Sequence, residues 1–118
     1  MAEDETPTEI RVSKDRRTLT LRWPVTAETV LDAEFLRVLS PSAEVQGHSP
    51  DQRVTVGGKR EVEIRDLRPV GHYALRIVFS DGHDSGLYTW RYFRELAAER
   101  EERWSQYLEE LSAAGLSR

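Results

Sequence analysis

The stretch Pro69-Val70-Gly71-His72-Tyr73-Ala74-Leu75-Arg76-Ile77-Val78-Phe79-Ser80-Asp81-Gly82-His83-Asp84-Ser85-Gly86-Leu87-Tyr88-Thr89-Trp90-Arg91-Tyr92-Phe93 decides the fold. Tyr73, Leu75, Ile77 and Phe79 recur at period two, with Ala74, Arg76, Val78 and Ser80 between them, the pattern of a strand with one face in a core. Asp81-Gly82 and Ser85-Gly86 are turn formers on either side of His83. Trp90 and Phe93 then stand at the i, i+3 spacing of one helix face. The order is strand, polar loop, helix. A short loop between two packed elements is held at both ends, so His83 and the carboxylates beside it are the best-positioned polar groups of the chain.

Toward the amino terminus, Arg68-Pro69-Val70-Gly71 reads as a β-turn with proline preset at its second position. Val54 and Val56, Gly57-Gly58, then Val62 and Ile64 read as a hairpin whose paired glycines supply the turn. Ser40 to Pro50, with its prolines, glycine and serines, reads as an exposed, shaped loop without a regular element. Asp32 is placed to cap a short helix with Phe35, Leu36 and Leu39 inward, after a loop from Val25 to Thr29. Ile10 and Val12, a turn over Ser13-Lys14-Asp15-Arg16-Arg17, and Leu19, Leu21 and Trp23 make a first hairpin that Pro24 ends. Toward the carboxyl terminus, the helix carries Phe93, Leu96 and Ala97 inward and breaks or bends within Glu99-Arg100-Glu101-Glu102-Arg103. It resumes as a stripe of Trp104, Tyr107, Leu108 and Leu111 that stops at Gly115. The expected fold is α+β: a small twisted antiparallel sheet of hairpins, a short helix after the first hairpin, and C-terminal helices packed on the sheet. The expected division is a disordered tail at 1–7, a domain at 8–97 and a helical extension at 98–118.

At 118 residues the chain suits one domain with one core. It has no cysteine, which excludes disulfides, thiolate metal sites and a cysteine nucleophile. No apolar run approaches the ~20 residues of a membrane span, and Met1 to Pro7 lacks the features of a signal peptide, so a cytoplasmic protein is expected. A formal charge of −4 argues against general nucleic-acid binding. Arg53, Lys59, Arg60, Arg65, Arg68 and Arg76 nevertheless fall in or near the expected middle strands, and weak nucleic-acid binding through them stands as an alternative, with a solvated outer face as the simpler account.

Leu36-Arg37 leading into Ser40-Pro41-Ser42-Ala43-Glu44-Val45, then Val70-Gly71-His72-Tyr73-Ala74-Leu75, then Asp81-Gly82-His83-Asp84-Ser85-Gly86 with Trp90 soon after, resembles the gamma-butyrobetaine hydroxylase-like amino-terminal domain over roughly residues 7 to 97. The resemblance implies a small α+β fold with a twisted antiparallel sheet. That family forms the amino-terminal module of gamma-butyrobetaine and trimethyllysine dioxygenases, is appended to iron–sulfur carrier ATPases, and stands alone in bacteria as a domain of unknown function. In the dioxygenases the module holds a structural zinc through a Cys-Pro-Cys-x-x-Cys run and a later histidine. By that motif the three cysteines fall on Ser40, Ser42 and Val45, and the histidine on His83. Only the histidine remains. Hydroxyls are poor zinc ligands beside thiolates and valine is none, so the resemblance implies a degenerate zinc site held by other contacts, with Pro41, Pro50 and serine hydroxyls available. The dioxygenase catalytic domain has no counterpart in the chain.

The remaining candidates follow from residue chemistry. If the Ser40 to Pro50 loop lies beside His83, then His48 and Glu44 approach His83 and Asp84, and two imidazoles with a carboxylate suit iron, zinc or nickel. His72 is the third histidine. No nucleophile elbow, phosphate loop or dinucleotide fingerprint is present, and Gly57-Gly58-Lys59 lacks the rest of a phosphate-binding loop, so no enzyme is expected. Trp90 and Phe93 share a helix face from which Tyr92 turns away. Tyr92, flanked by Arg91 and Arg94, is therefore the expected partner-binding anchor. The stripe through Trp104 docks in cis, or in trans on a partner. The leading expectation is a non-enzymatic binding or adaptor module linked to iron–sulfur or metal-cofactor maturation, with a protein partner, no membrane and no cofactor. The alternative is a metal-binding protein using iron or zinc on His83 with His48 or nearby acids.

Overall fold

The computed structural model describes residues 6–47 and 53–118. Three strands, β1 (Glu9–Val12), β2 (Thr18–Arg22) and β3 (Thr29–Asp32), form an antiparallel meander. Two short helices follow, α1 (Ala33–Val38) and α2 (Ala43–Gln46). A second meander consists of β4 (Ile64–Val70), β5 (Ala74–Phe79) and β6 (Leu87–Thr89), and α3 (Trp90–Ala98) and α4 (Arg100–Ala114) close the chain. The α+β class holds, but the strands divide between two sheets. No helix among the described residues is long and apolar enough to cross a membrane.

The first hairpin forms as its alternation implies. Leu19 and Leu21 are buried while Arg22 is exposed. Its turn is built by local side chains: Ser13 Oγ donates to Asp15 Oδ1 at 2.6 Å and Arg17 N–H donates to the same oxygen at 3.0 Å. Within it Arg16 takes a left-handed φ of 63°, an uncommon conformation for a residue with a Cβ. The Arg16 carbonyl accepts from Ile64 N–H at 2.7 Å, so the turn of one sheet joins the first strand of the other.

Leu75, Ile77 and Phe79 of β5 enter the core as expected, but Tyr73 does not: it lies in the turn before β5 and is 56% exposed. The strand partner also differs. Val54, Val56 and Gly57-Gly58 form no hairpin; β5 pairs instead with β4, in which Pro69 lies opposite Leu75 and the turn falls at Gly71 to Tyr73. The segment instead runs beside α4 and the residues after it, with Val54 51% exposed: Tyr107 Oη donates to Val56 O at 2.6 Å and Gly58 N–H donates to Ser117 O at 2.8 Å. Arg53 pairs with Glu110 on the same helix. Two short strands escaped the sequence reading, β3 in the stretch just after the expected loop and β6 ahead of α3.

The core joins both sheets and all the longer helices: Leu31 from the first sheet, Ile64, Ile77 and Tyr88 from the second, Phe35 and Leu36 of α1, Phe93 and Leu96 of α3, and Tyr107 and Leu111 of α4. The helical break falls at Glu99, between α3 and α4, and Gly115 ends α4 at a φ of 70°. That left-handed cap lets Leu116 N–H reach Leu111 O at 2.9 Å, as glycine after a helix allows. The stripe on α4 thus docks in cis through Tyr107 and Leu111, with Leu108 left 40% exposed. Of the expected tail, residues 1–5 lie outside the described residues.

Candidate functional site

Two segments meet where the sequence aligned a zinc clasp: the turn from Ser40 through α2, and the loop from Ser80 to Gly86. The first is a regular element and not the exposed loop expected. Ser42 caps α2, accepting from Glu44 N–H at 3.2 Å, and Ser40, Ser42 and Val45 are all buried. Serine at this position satisfies a helix donor that would otherwise be orphaned. The second segment is shaped by Asp81, whose Oδ1 accepts from His83 N–H at 3.0 Å, and by His83 O, which accepts from Phe79 N–H at 3.0 Å.

Hydrogen bonds stand where thiolates would. Ser40 Oγ lies 2.8 Å from His83 Nε2, and Ser42 Oγ lies 2.8 Å from Ser85 Oγ. The other ring nitrogen, His83 Nδ1, is 3.2 Å from Glu44 Oε2. Burial, and then the Arg37 guanidinium, lower the His83 pKa against the opposing pull of Glu44 and Asp81. The ring is therefore neutral at neutral pH. Nδ1–H donates to Glu44 and Nε2 accepts from the Ser40 hydroxyl, the one tautomer that satisfies both contacts. The contact with Glu44 is accordingly a hydrogen bond and not an ion pair. Gly86 closes the cluster from the other side: a Cβ there would overlap Ser40 Oγ and lie 3.2 Å from Tyr88 Cε1.

A charged lock flanks this cluster. Asp81 Oδ2 accepts from Arg37 Nε at 2.8 Å and from Lys59 Nζ at 2.6 Å. Burial alone would raise the Asp81 pKa, but the bonds from Lys59, His83 N–H and Arg37 outweigh it and pull the carboxyl down to about 2. From the sequence Arg37, Ser85 and Gly86 stand out only as parts of the family match or of a turn, and Lys59 only as one of the basic residues of the middle, none of them as a member of this cluster. No local pattern marks them, because Arg37 and Asp81 meet across a separation of 44 residues.

The expected metal pair is only partly within view, since His48 lies outside the described residues. Glu44 reaches His83 as expected, whereas Asp84 is exposed, and His72 sits in the hairpin turn, its carbonyl accepting from Trp90 Nε1 at 2.8 Å. Among the described residues no group of three His, Cys, Asp or Glu side chains could hold an ion. Zinc does not fit the aligned set: two hydroxyls and a valine replace the thiolates, and both imidazole nitrogens already have partners.

Ser40, His83 and Glu44 also follow the connectivity of a serine nucleophile, its base and an orienting acid. Their burial runs the wrong way round. A working triad offers the nucleophile to substrate and shelters the acid; here Ser40 is 0% exposed and the Glu44 side chain is 70% exposed. Ser40 Oγ is enclosed between His83 Nε2 and the backbone at Gly86, so the contacts join two segments.

The expected partner anchor is corrected in part. Tyr92 is half-buried, its hydroxyl donating to Leu39 O at 2.5 Å, with its ring 6.1 Å from that of Tyr88. The bond to a carbonyl beyond the helix pulls the ring inward, although the helical wheel turns it away from Phe93. Arg94 lies over the Trp23 ring at 3.9 Å. Arg91 alone of the three is exposed. The basic residues of the middle are dispersed as well: Arg53 and Lys59 are tied to Glu110 and Asp81, and Arg68 to Asp66.

The neutral, buried His83 sets a pH dependence. As pH falls below about 6.5 the unfolded chain takes a proton on this residue and the folded chain does not, so stability declines from there down to the depressed native pKa. The Asp81 contribution is lost in a separate window, as pH falls from about 4 toward 2. Urea denaturation should therefore show a fall in midpoint between pH 7 and pH 5 for the wild-type chain that is largely absent in His83→Gln. An equal fall in the variant would assign the loss to other groups.

The model of the family described as gamma-butyrobetaine hydroxylase-like, N-terminal, matches residues 10–94. One similar solved structure, determined by NMR in solution, is 50% identical, with a TM-score of 0.81, covering 97% of this chain and 90% of that one. A second NMR solution structure is 40% identical, with a TM-score of 0.82, covering 97% and 85%. The crystal structure of a protein of unknown function of the DUF971 family from Acidithiobacillus ferrooxidans is 36% identical, with a TM-score of 0.68, covering 84% of this chain and 99% of that one. No curated protein matches.

Proposed function

Since the chain belongs to the gamma-butyrobetaine hydroxylase-like, N-terminal family, we propose that it is a non-catalytic interaction module that binds an acidic segment of a protein partner through the outer face of its second sheet. The supporting observation is the cross-strand row Arg68, Arg76 and Leu87, paired in register on β4, β5 and β6. Residues directly opposite in an antiparallel ladder project from the same face. Two arginines held side by side repel, and among the described residues Arg68 alone of the two has an acidic partner, Asp66 at 3.2 Å. Leu87 beside them is 39% exposed. A carboxylate-bearing partner would remove the repulsion and cover the leucine.

The inverted burial of Ser40 and Glu44 supports the non-catalytic part of this reading. Nucleic acid is a poorer fit, because Arg53 and Lys59 are neutralised at other surfaces and Asp66 and Glu63 interrupt the basic stretch. The family's association with iron–sulfur carrier ATPases supports looking for the partner in iron–sulfur or metal-cofactor maturation. Affinity capture with cross-linking from a native lysate tests the reading. Wild-type chain should retain a partner cross-linked through Asp- and Glu-rich segments beside β4 to β6. Arg68→Glu with Arg76→Glu should lower capture at least tenfold without changing the circular dichroism spectrum. Undiminished capture by the double variant would end the proposal.

A further inference from the structure

Between α1 and the start of α4 lies a hollow of about 280 Å³ lined by the acids Asp32, Glu34 and Glu101, the rings of Phe35 and Trp104, and the cations Arg100 and Arg118, near the lower end of the ~300–1,000 Å³ of ligand pockets. It shares no lining residue with the Ser40–His83 cluster or with the outer sheet face. Glu34 is buried, 8% exposed, and Arg118 meets it with two parallel bonds, Nε to Oε2 at 3.0 Å and Nη2 to Oε1 at 2.8 Å. The Arg118 guanidinium also lies 5.1 Å from the centre of the Trp104 ring, whose far neighbour is Phe35 at 6.2 Å. A buried carboxylate with an aromatic face beside it is a receptor for a flat, two-point cation.

The two partners are unequally fixed. Glu34 lies in the first turn of a packed helix, whereas the Arg118 side chain is 36% exposed and enters from the rim. Asp32 occupies the N-cap position of α1, yet its side chain makes no cap bond, so its carboxylate adds to the negative potential of the hollow. Arg100 is turned to the Val30 carbonyl. A buried carboxylate is costly to leave unpaired, so departure of Arg118 requires another cation in its place.

We infer that this hollow is a guanidinium-recognition pocket, its Glu34 carboxylate engaged in cis by Arg118 from the wall, that accepts an arginine side chain of a partner polypeptide in exchange. Arginine is specified over lysine because the paired bonds to Glu34 and the stacking on Trp104 need a planar fork, which an ammonium lacks.

The test is an NMR titration of the full chain with N-acetyl-arginine methylamide, following the Trp104 indole. Arg118→Ala should bind this probe at least tenfold more tightly than the wild-type chain and at least fivefold more tightly than the lysine analogue. Adding Glu34→Gln should abolish the difference. Equal affinity in Arg118→Ala and wild type, or no preference over lysine, overturns the inference. Should Arg118→Ala fail to fold, the wild-type chain decides: excess arginine probe must shift the Arg118 Nε–H and Trp104 signals together, while the uncharged citrulline analogue leaves them in place. Failure of both signals to move also overturns it.

Discussion

Gly86→Ala is expected to lower stability by about 3 kcal/mol, read as a fall in the thermal midpoint of roughly 10 °C. The effect is steric. Gly86 is buried and is not among the positive-φ glycines, so an alanine meets no backbone penalty there. Its new methyl group would instead overlap Ser40 Oγ, with Tyr88 Cε1 at 3.2 Å and Pro41 Cδ at 3.3 Å closing the other directions. Overpacking a filled interior costs about 1–3 kcal/mol. Driving Ser40 from His83 then leaves a buried hydroxyl and a buried imidazole nitrogen unsatisfied, about 1–3 kcal/mol more. Ser40→Ala removes the obstructing oxygen, so it should relieve part of the damage in the Gly86→Ala background although it is itself destabilising. A coupling energy above about 1 kcal/mol in this double-mutant cycle is the expected result. Strict additivity, or a Gly86→Ala cost below about 0.5 kcal/mol, would mean that the two segments do not approach as closely as described.

The parts of this fold that were legible in the sequence are those in which one residue pattern has one physical solution. The alternation of Leu75, Ile77 and Phe79 fits a half-buried strand, and Gly115 fits a left-handed helix end. Misreadings arose where the same pattern has two solutions. Val54, Val56 and Gly57-Gly58 satisfy a hairpin, but they also satisfy an irregular segment laid against α4, where Gly57 has no room for a side chain beside Ser117 O. The partner actually used, Arg65-Asp66-Leu67-Arg68-Pro69 in β4, looks like a loop. It is an edge strand, and charged residues and proline are what such a strand carries on its open side. At the candidate site, His83 and Glu44 could be named because the family pattern and nearby chemistry pointed to them. Arg37 and Lys59 could not, since their pairing with Asp81 exists only after both sheets are assembled. Tyr92 was misplaced for a related reason: helix periodicity gives the direction of a side chain, but not the carbonyl of Leu39 waiting for its hydroxyl.

Ser40→Cys, Ser42→Cys and Val45→Cys together should convert the chain into a stoichiometric zinc protein, with nanomolar or tighter affinity, about 12 kcal/mol or more. The scaffold for such a site is largely assembled. Ser42 and Val45 stand at i, i+3 across the first turn of α2, on one side of it. Ser40 Oγ already touches His83 Nε2 at 2.8 Å. In a tetrahedral site with Zn–S near 2.3 Å and Zn–N near 2.0 Å, sulfur and nitrogen stand about 3.6 Å apart, so the segments must part by only about 1 Å. The support for the imidazole is in place as well, because Glu44 accepts from Nδ1–H and aims Nε2 at the site. Such carboxylate–histidine contacts are worth about 10–100-fold in metal affinity. The triple variant should therefore bind one equivalent of zinc in a chromophore competition assay. Its thermal midpoint should rise with zinc by an amount set by mass action, about 4 kcal/mol at a thousandfold excess over Kd. Adding Glu44→Gln should weaken binding by one to two decades, and adding His83→Ala should weaken it further. Zinc uptake no greater than that of the wild-type chain, or uptake indifferent to His83, would show that the hydrogen-bonded clasp does not occupy the position of a metal clasp.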